Sequence, residues 1–130
     1  MTHGRMLLLA ITFLASGGAL AQQAPIPDAP FKTVHLMKVA PAQEAALQAA
    51  VNDFNREFAA QGCATCAYRL FKTVTASDPS FSYLMTADWP GGEDYRKIHM
   101  SDGFAAVTKR NPIVTELGAT EFYGRYVDVK

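Results

Sequence analysis

The sequence carries no excess charge of either sign: 12 lysines and arginines face 12 aspartates and glutamates over 130 residues. A protein that grips nucleic acid by its phosphates carries a basic surplus or stripe, so the balance argues against that class. There is no apolar run of the ~20 residues that a membrane-spanning helix needs. Phosphate loop, dinucleotide fingerprint, paired-carboxylate motif and Ser/His/Asp signature are all missing. With only 2 cysteines and 3 histidines, a metal site has few ligands to draw on, and none is predicted. What remains is a chain that is 49% hydrophobic, too apolar for disorder and long enough for one ordinary domain.

Residues 1–21 read as a secretory signal. Arg5 gives a positive start, Met6 to Ala15 form a short apolar run, and Ser16-Gly17-Gly18 break it. Ala19-Leu20-Ala21 is a small-x-small cleavage site. No cysteine follows to carry a lipid, and no twin arginine precedes the run. The competing reading is an uncleaved anchor. Cleavage after Ala21 removes Arg5 and leaves 109 residues, with 11 basic against 12 acidic side chains. The expected product is exported, periplasmic where the cell has an outer membrane, with no stable membrane anchor.

Residues 22–30 contain Pro25, Pro27 and Pro30 and read as an extended tether. The domain is then 31–130. Its first strand is 31–39, with Phe31, Thr33, His35, Met37 and Val39 on one face. A helix over 42–61 follows from Leu47, Ala50, Val51, Phe54 and Phe58 at helical spacing, with Asn55 among the polar residues opposite. Pro41 suits its first turn and Gly62 its stop. Strands are expected over 67–74 and 81–89, separated by the turn Ser77-Asp78-Pro79-Ser80. A second helix covers 93–110, with Gly103 as a place where it can split, and a last strand runs over 120–129. Strand–helix–strand–strand–helix–strand is the ferredoxin-like split βαβ order, an α+β antiparallel sheet with helices on one face. The other face then needs a cover, and a second copy of the chain is the economical one.

The pattern resembles the antibiotic biosynthesis monooxygenase family of dimeric α/β barrels. Four local features carry the resemblance. Lys38-Val39-Ala40-Pro41 closes strand one before a long helix, and Gly62 follows that helix. Trp89 ends strand three. Glu93-Asp94-Tyr95 and His99-Met100-Ser101-Asp102-Gly103-Phe104 come next. The resemblance implies a homodimer with a cavity between each sheet and its helices. It also implies a small aromatic or quinol-type ligand, oxidised with oxygen and no cofactor. Non-catalytic members imply a second reading, a ligand-binding or stress-related module. The heme-degrading branch uses an asparagine on strand one and a tryptophan and a histidine on helix two. Strand one here has no asparagine, and the other two positions fall on Ile98 and Thr108, so that route is disfavoured.

The candidate chemistry is sparse. His35 and His99 are the only histidines left after signal removal, and each can act as a base toward a phenolic hydroxyl near neutral pH. His99 reads equally as a helix residue packed beside Trp89, and His35 as a strand residue in the dimer face. Tyr68, Tyr83, Met85, Trp89 and Phe104 are candidates to line a cavity, and are also what any core of this size would use. Arg69 is a candidate to hold an anionic ligand oxygen, or is a partly exposed strand arginine. Cys63-Ala64-Thr65-Cys66 follows a helix and precedes a strand, so it lacks the helix N-terminus that activates thioredoxin-type thiols. A disulfide pinning the turn is the favoured reading, and thiol-redox or metal chemistry through the same pair stays open.

Overall fold

The structure is a computed structural model that describes residues 25–130. The expected signal, 1–21, and the first residues of the tether lie outside the described residues. The elements are β1 (Phe31–Met37), α1 (Glu44–Ala60), β2 (Arg69–Lys72), β3 (Tyr83–Trp89), α2 (Gly92–His99), α3 (Asp102–Arg110), α4 (Ile113–Gly118) and β4 (Phe122–Tyr126), with 3-10 turns at Pro41–Gln43 and Ala64–Cys66. The four strands are antiparallel in the order β2-β3-β1-β4. This is the ferredoxin-like order, with the first and third strands side by side in the centre. Among the described residues no helix is long and apolar enough to cross a membrane.

Register makes the sheet two-faced. Leu70, Met85, His35 and Tyr123 form one row across all four strands on the helix side. One residue along, Phe71, Leu84, Leu36 and Phe122 form a row on the opposite side, because side chains alternate along a strand. The helix side holds the core, with Phe31, Thr33, Met37, Ala87 and Trp89 all buried. No described element covers the other side, where Phe71 is 41%, Phe122 61% and Tyr126 50% exposed.

The buried face of α1 is Leu47, Ala50, Val51, Phe54 and Phe58, the set that the spacing predicts. Burying each larger member is worth about 1.5–3 kcal/mol, so this stripe holds the helix on the sheet. The helix ends in a Schellman motif. Gly62 has φ +88°, its N–H donates to Ala59 O (3.0 Å), and Cys63 N–H donates to Phe58 O (2.9 Å). Cys63 and Cys66 form a disulfide across the 3-10 turn that follows.

Four expectations need correction. The second helical stretch breaks at Met100–Ser101, not at Gly103: the Ser101 hydroxyl accepts from Phe104 N–H (3.1 Å) and caps α3. Gly103 serves a close approach instead, since a Cβ there would sit 1.8 Å from Glu57 Oε1. The short helix α4 is absent from the sequence reading; its buried contacts are Ile113 and Leu117, one turn apart. Each strand is also shorter than expected, β2 most of all at 4 residues. Asn55, expected on the polar side of α1, turns toward β2. Its side chain accepts from Tyr68 N–H (2.7 Å) and donates to Tyr68 C=O (3.0 Å), so the helix acts as a strand-like partner for that residue.

Residues 25–30 are docked rather than free. Ile26 packs against the core, and the Pro27 and Asp28 carbonyls pass so close to Gly92 and Gly91 that a Cβ would lie 2.7 Å from each.

Candidate functional site

The helices stand off the sheet to leave a cavity of about 280 Å³. Its floor is the inner row of the sheet, with His35, Met85 and Tyr123, and its roof is α1 with Leu47, Val51 and Phe54. The lining is mostly aliphatic and aromatic, so the few polar groups that reach it stand out. A surface cleft between α3 and α4 shares His99, Phe104, Thr108 and Thr115 with the cavity and is bordered by Lys109 and Glu116. That cleft is its mouth.

His35 and Glu121 form the most distinctive pair. His35 Nδ1 lies 2.8 Å from Glu121 Oε2, and their side chains are only 9% and 8% exposed. Such a close pair in so apolar a place needs a reason, because burying either group alone is costly. β1 brings His35 inward by its alternation, and the residue just before β4 brings Glu121. His35 is therefore on the cavity side, which corrects the dimer-face reading. The Tyr123 ring lies tilted at 4.7 Å from the His35 ring, and Tyr68 meets it edge-on at 5.9 Å.

His99 lines both the cavity and its mouth. Its Nδ1 is 2.8 Å from the Tyr95 carbonyl, and its ring stacks on Tyr95 at 3.8 Å. Burial pushes its pKa down to about 4, so the ring is neutral near pH 7. Burial likewise pushes the Tyr68 phenol well up, and burial with the neighbouring Tyr95 pushes Tyr123 up. Both phenols stay protonated. Tyr95 and Tyr123 hydroxyls are 3.1 Å apart, and the Arg125 guanidinium lies over both rings at 5.1 and 5.3 Å.

Of the residues singled out in the sequence, His35, His99, Tyr68, Met85 and Phe104 converge on the cavity. Trp89 does not reach the lining. It is buried behind His99, ring centroids 5.0 Å apart, with its indole N–H donating to Thr33 Oγ1. Tyr83 is buried at the end of β3, outside the lining. Arg69 is exposed on the uncovered side of the sheet, over the Phe71 ring at 5.2 Å, so it cannot hold a ligand in this cavity. Glu121, Tyr123 and Tyr95 were not foreseen. For Glu121 and Tyr123 the signal that could have found them is the alternation Glu121, Tyr123, Arg125 at the last strand, once its inward phase is known; Tyr95 is on α2, one turn before His99.

Comparison with solved structures decides the fold family. The fold is shared with solved structures described as putative antibiotic biosynthesis monooxygenases. The chain superposes on a "putative antibiotic biosynthesis monooxygenase" from Caulobacter crescentus CB15 with TM-score 0.62 and 16% identity, covering 81% of this chain and 94% of that one. A protein of the same description from Bordetella bronchiseptica gives 0.56 at 19% identity, over 78% and 99% of the two chains. A dimeric ferredoxin-like protein of unknown function from Thermobifida fusca gives 0.53 at 10% identity, over 76% and 91%. At these identities the likeness is one of fold. No family model matches the sequence, and no curated protein does.

Thiol and metal chemistry find little here. Cys66 is fully buried and Cys63 8% exposed, so the bond offers little surface to an exchange partner. Among the described residues no cluster of three metal-ligating side chains exists.

Proposed function

We propose that this chain is an exported, dimeric barrel protein that binds a small aromatic hydroxy compound between its sheet and helices and oxidises it with oxygen alone. The observation that carries the reading is the buried His35–Glu121 pair on the wall of a mostly apolar cavity. His35 takes the proton of a ligand hydroxyl, and Glu121 stabilises the imidazolium that forms. A hydroquinone treated this way passes two electrons and two protons to O₂, which gives the quinone and hydrogen peroxide. His35 returns its proton to the peroxide. The cavity of about 280 Å³ is roughly twice the ~150 Å³ that admits benzene, which suits one or two rings.

Oxygen uptake with hydroquinones tests the reading. His35→Ala should lower the rate ~100-fold or more, the usual worth of a positioned base. No uptake with any hydroquinone, or uptake indifferent to His35, would sink the enzymatic reading. Binding without turnover would leave a ligand-sequestering module.

The dimer is supported by the uncovered apolar row Phe71, Leu84, Leu36 and Phe122 and by the dimeric fold neighbour. Export is supported by the signal pattern of 1–21 and by the Cys63–Cys66 disulfide, which persists in oxidising compartments. The mass of the protein recovered from its host, expected to begin at Gln22, checks the second point.

A further inference from the structure

α2 is 8 residues long, too short to hold its helix by itself. It opens on two glycines: Gly91 as N-cap, with no side-chain hydrogen bond, and Gly92 as its first residue. Gly91 is extended at φ 173° and Gly92 is helical, so neither needs a glycine for its backbone angles. Inside a helix, intrinsic propensity favours alanine over glycine. The reason for both glycines lies in what passes over them. The Asp28 carbonyl oxygen would stand 2.7 Å from a Cβ on Gly91, and the Pro27 carbonyl oxygen 2.7 Å from a Cβ on Gly92. A main-chain oxygen cannot swing aside as the end of a side chain can, so the two glycines are what admit this segment.

The segment is fastened at two further points. Ile26 packs against the core, with its Cγ2 3.1 Å from the Gly92 Cβ position. The Asp28 carboxylate pairs at 3.7 Å with Arg96, one turn on from Gly92. Pro25, Pro27 and Pro30 narrow the backbone choices of the undocked segment and so reduce the entropy lost on docking. α2 in turn carries two residues of the cavity wall, Tyr95 and His99. Their rings stack at 3.8 Å, and His99 Nδ1 donates to the Tyr95 carbonyl (2.8 Å). We infer that Ile26, Pro27 and Asp28 form a strap that fixes α2, and through it the placing of His99 on the cavity wall, so that the segment next to the signal pattern is part of the site. The three are positioning residues, since none of them lines the cavity. The inference stands apart from what the cavity binds.

Amide hydrogen exchange and ¹H–¹⁵N spectra of the full-length protein as purified test this with two variants that meet the strap from opposite sides. Gly92→Ala sets a methyl group against the Pro27 carbonyl, and Ile26→Ala removes the strap's anchor without altering α2. Helix propensity alone predicts that Gly92→Ala slows exchange in residues 93–99, by up to roughly fivefold. The strap predicts the reverse: exchange there rises at least roughly tenfold in both variants, while α1 keeps its rate. The His99 Nδ1–H signal, sheltered by its bond to the Tyr95 carbonyl, should broaden into exchange with water in both. Slower or unchanged exchange in Gly92→Ala overturns the inference. Faster exchange with an unchanged His99 signal overturns it as well and leaves the segment as packing alone. Should Gly92→Ala fail to fold, Ile26→Ala decides by itself, and exchange or a His99 signal like that of the unaltered protein overturns the strap.

Discussion

His99 is surrounded by rings: Tyr95 at 3.8 Å, Phe104 at 4.5 Å and Trp89 at 5.0 Å. Charging it there means placing an imidazolium among rings that keep most of the water away. Its pKa falls from 6.5 to about 4 for that reason. Between those values the unfolded chain binds a proton that the folded chain refuses. The stability present in full above pH 6.5 is therefore lost as the pH drops toward 4, by on the order of 3 kcal/mol. Urea denaturation at pH 7 and pH 4.5 should show the loss, and His99→Gln should remove most of it. An unchanged pH dependence in that variant would refute the account. The pairing of His35 with Glu121 lay beyond sequence reasoning for a different cause. Alternation placed His35 and Met37 on one face, but nothing local says which face meets the helices, nor which residue of a strand far along the chain lies beside His35. Arg69 kept two readings through the same ambiguity; Leu70 takes the inward phase of β2, which leaves Arg69 as the exposed strand arginine.

Elements that carry their own periodicity were the most legible. In α1 five apolar residues at helical spacing, Pro41 before the helix and Gly62 after it specify its face and both ends. The short α4 has only Ile113 and Leu117 to announce it, too few to separate from a loop. Gly62 offers a clean test of the α1 stop. Nothing lies within 4 Å of a Cβ built there, so Gly62→Ala should cost only backbone strain, about 1–2 kcal/mol, read as a fall in denaturation midpoint. A neutral substitution would show that the left-handed turn is not required. The neighbouring disulfide closes a loop so short that its entropic worth is about 2 kcal/mol. The double variant Cys63→Ser/Cys66→Ser should lose about that much and still bind ligand. The native protein should yield no titratable thiol until it is unfolded and reduced. Reactive thiols in the folded protein would revive the redox reading.

At the scale of the whole molecule, the split βαβ order was readable because the strand and helix signals alternate without ambiguity, and one-sided helices followed from it. Register was not readable, and register is what gathers Phe71, Leu84, Leu36 and Phe122 into a band across every strand. Tyr126 extends the band by lying over Gly124, where a Cβ would come within 2.6 Å of its hydroxyl. If a second copy covers this band, a charge in its middle is intolerable to the assembly but not to the fold. Leu36→Glu should convert a dimer to a monomer in sedimentation velocity while the near-ultraviolet spectrum keeps its native form. A wild-type chain that sediments as a monomer at high micromolar concentration would overturn the dimer.

The His35–Glu121 contact joins residues 86 positions apart, through an edge strand that is the last element of the chain. Pairings of that span close late in folding, because a long loop must be drawn in before any contact repays it. The site is thus finished last in time as well as in sequence. A chain with β1, β3 and α1 already assembled has its cavity wall but no partner for His35. Only the docking of β4 turns the pocket into a working one. Acquisition of activity during refolding should lag behind the burial of Trp89, and the length of that lag would clock the arrival of a single strand.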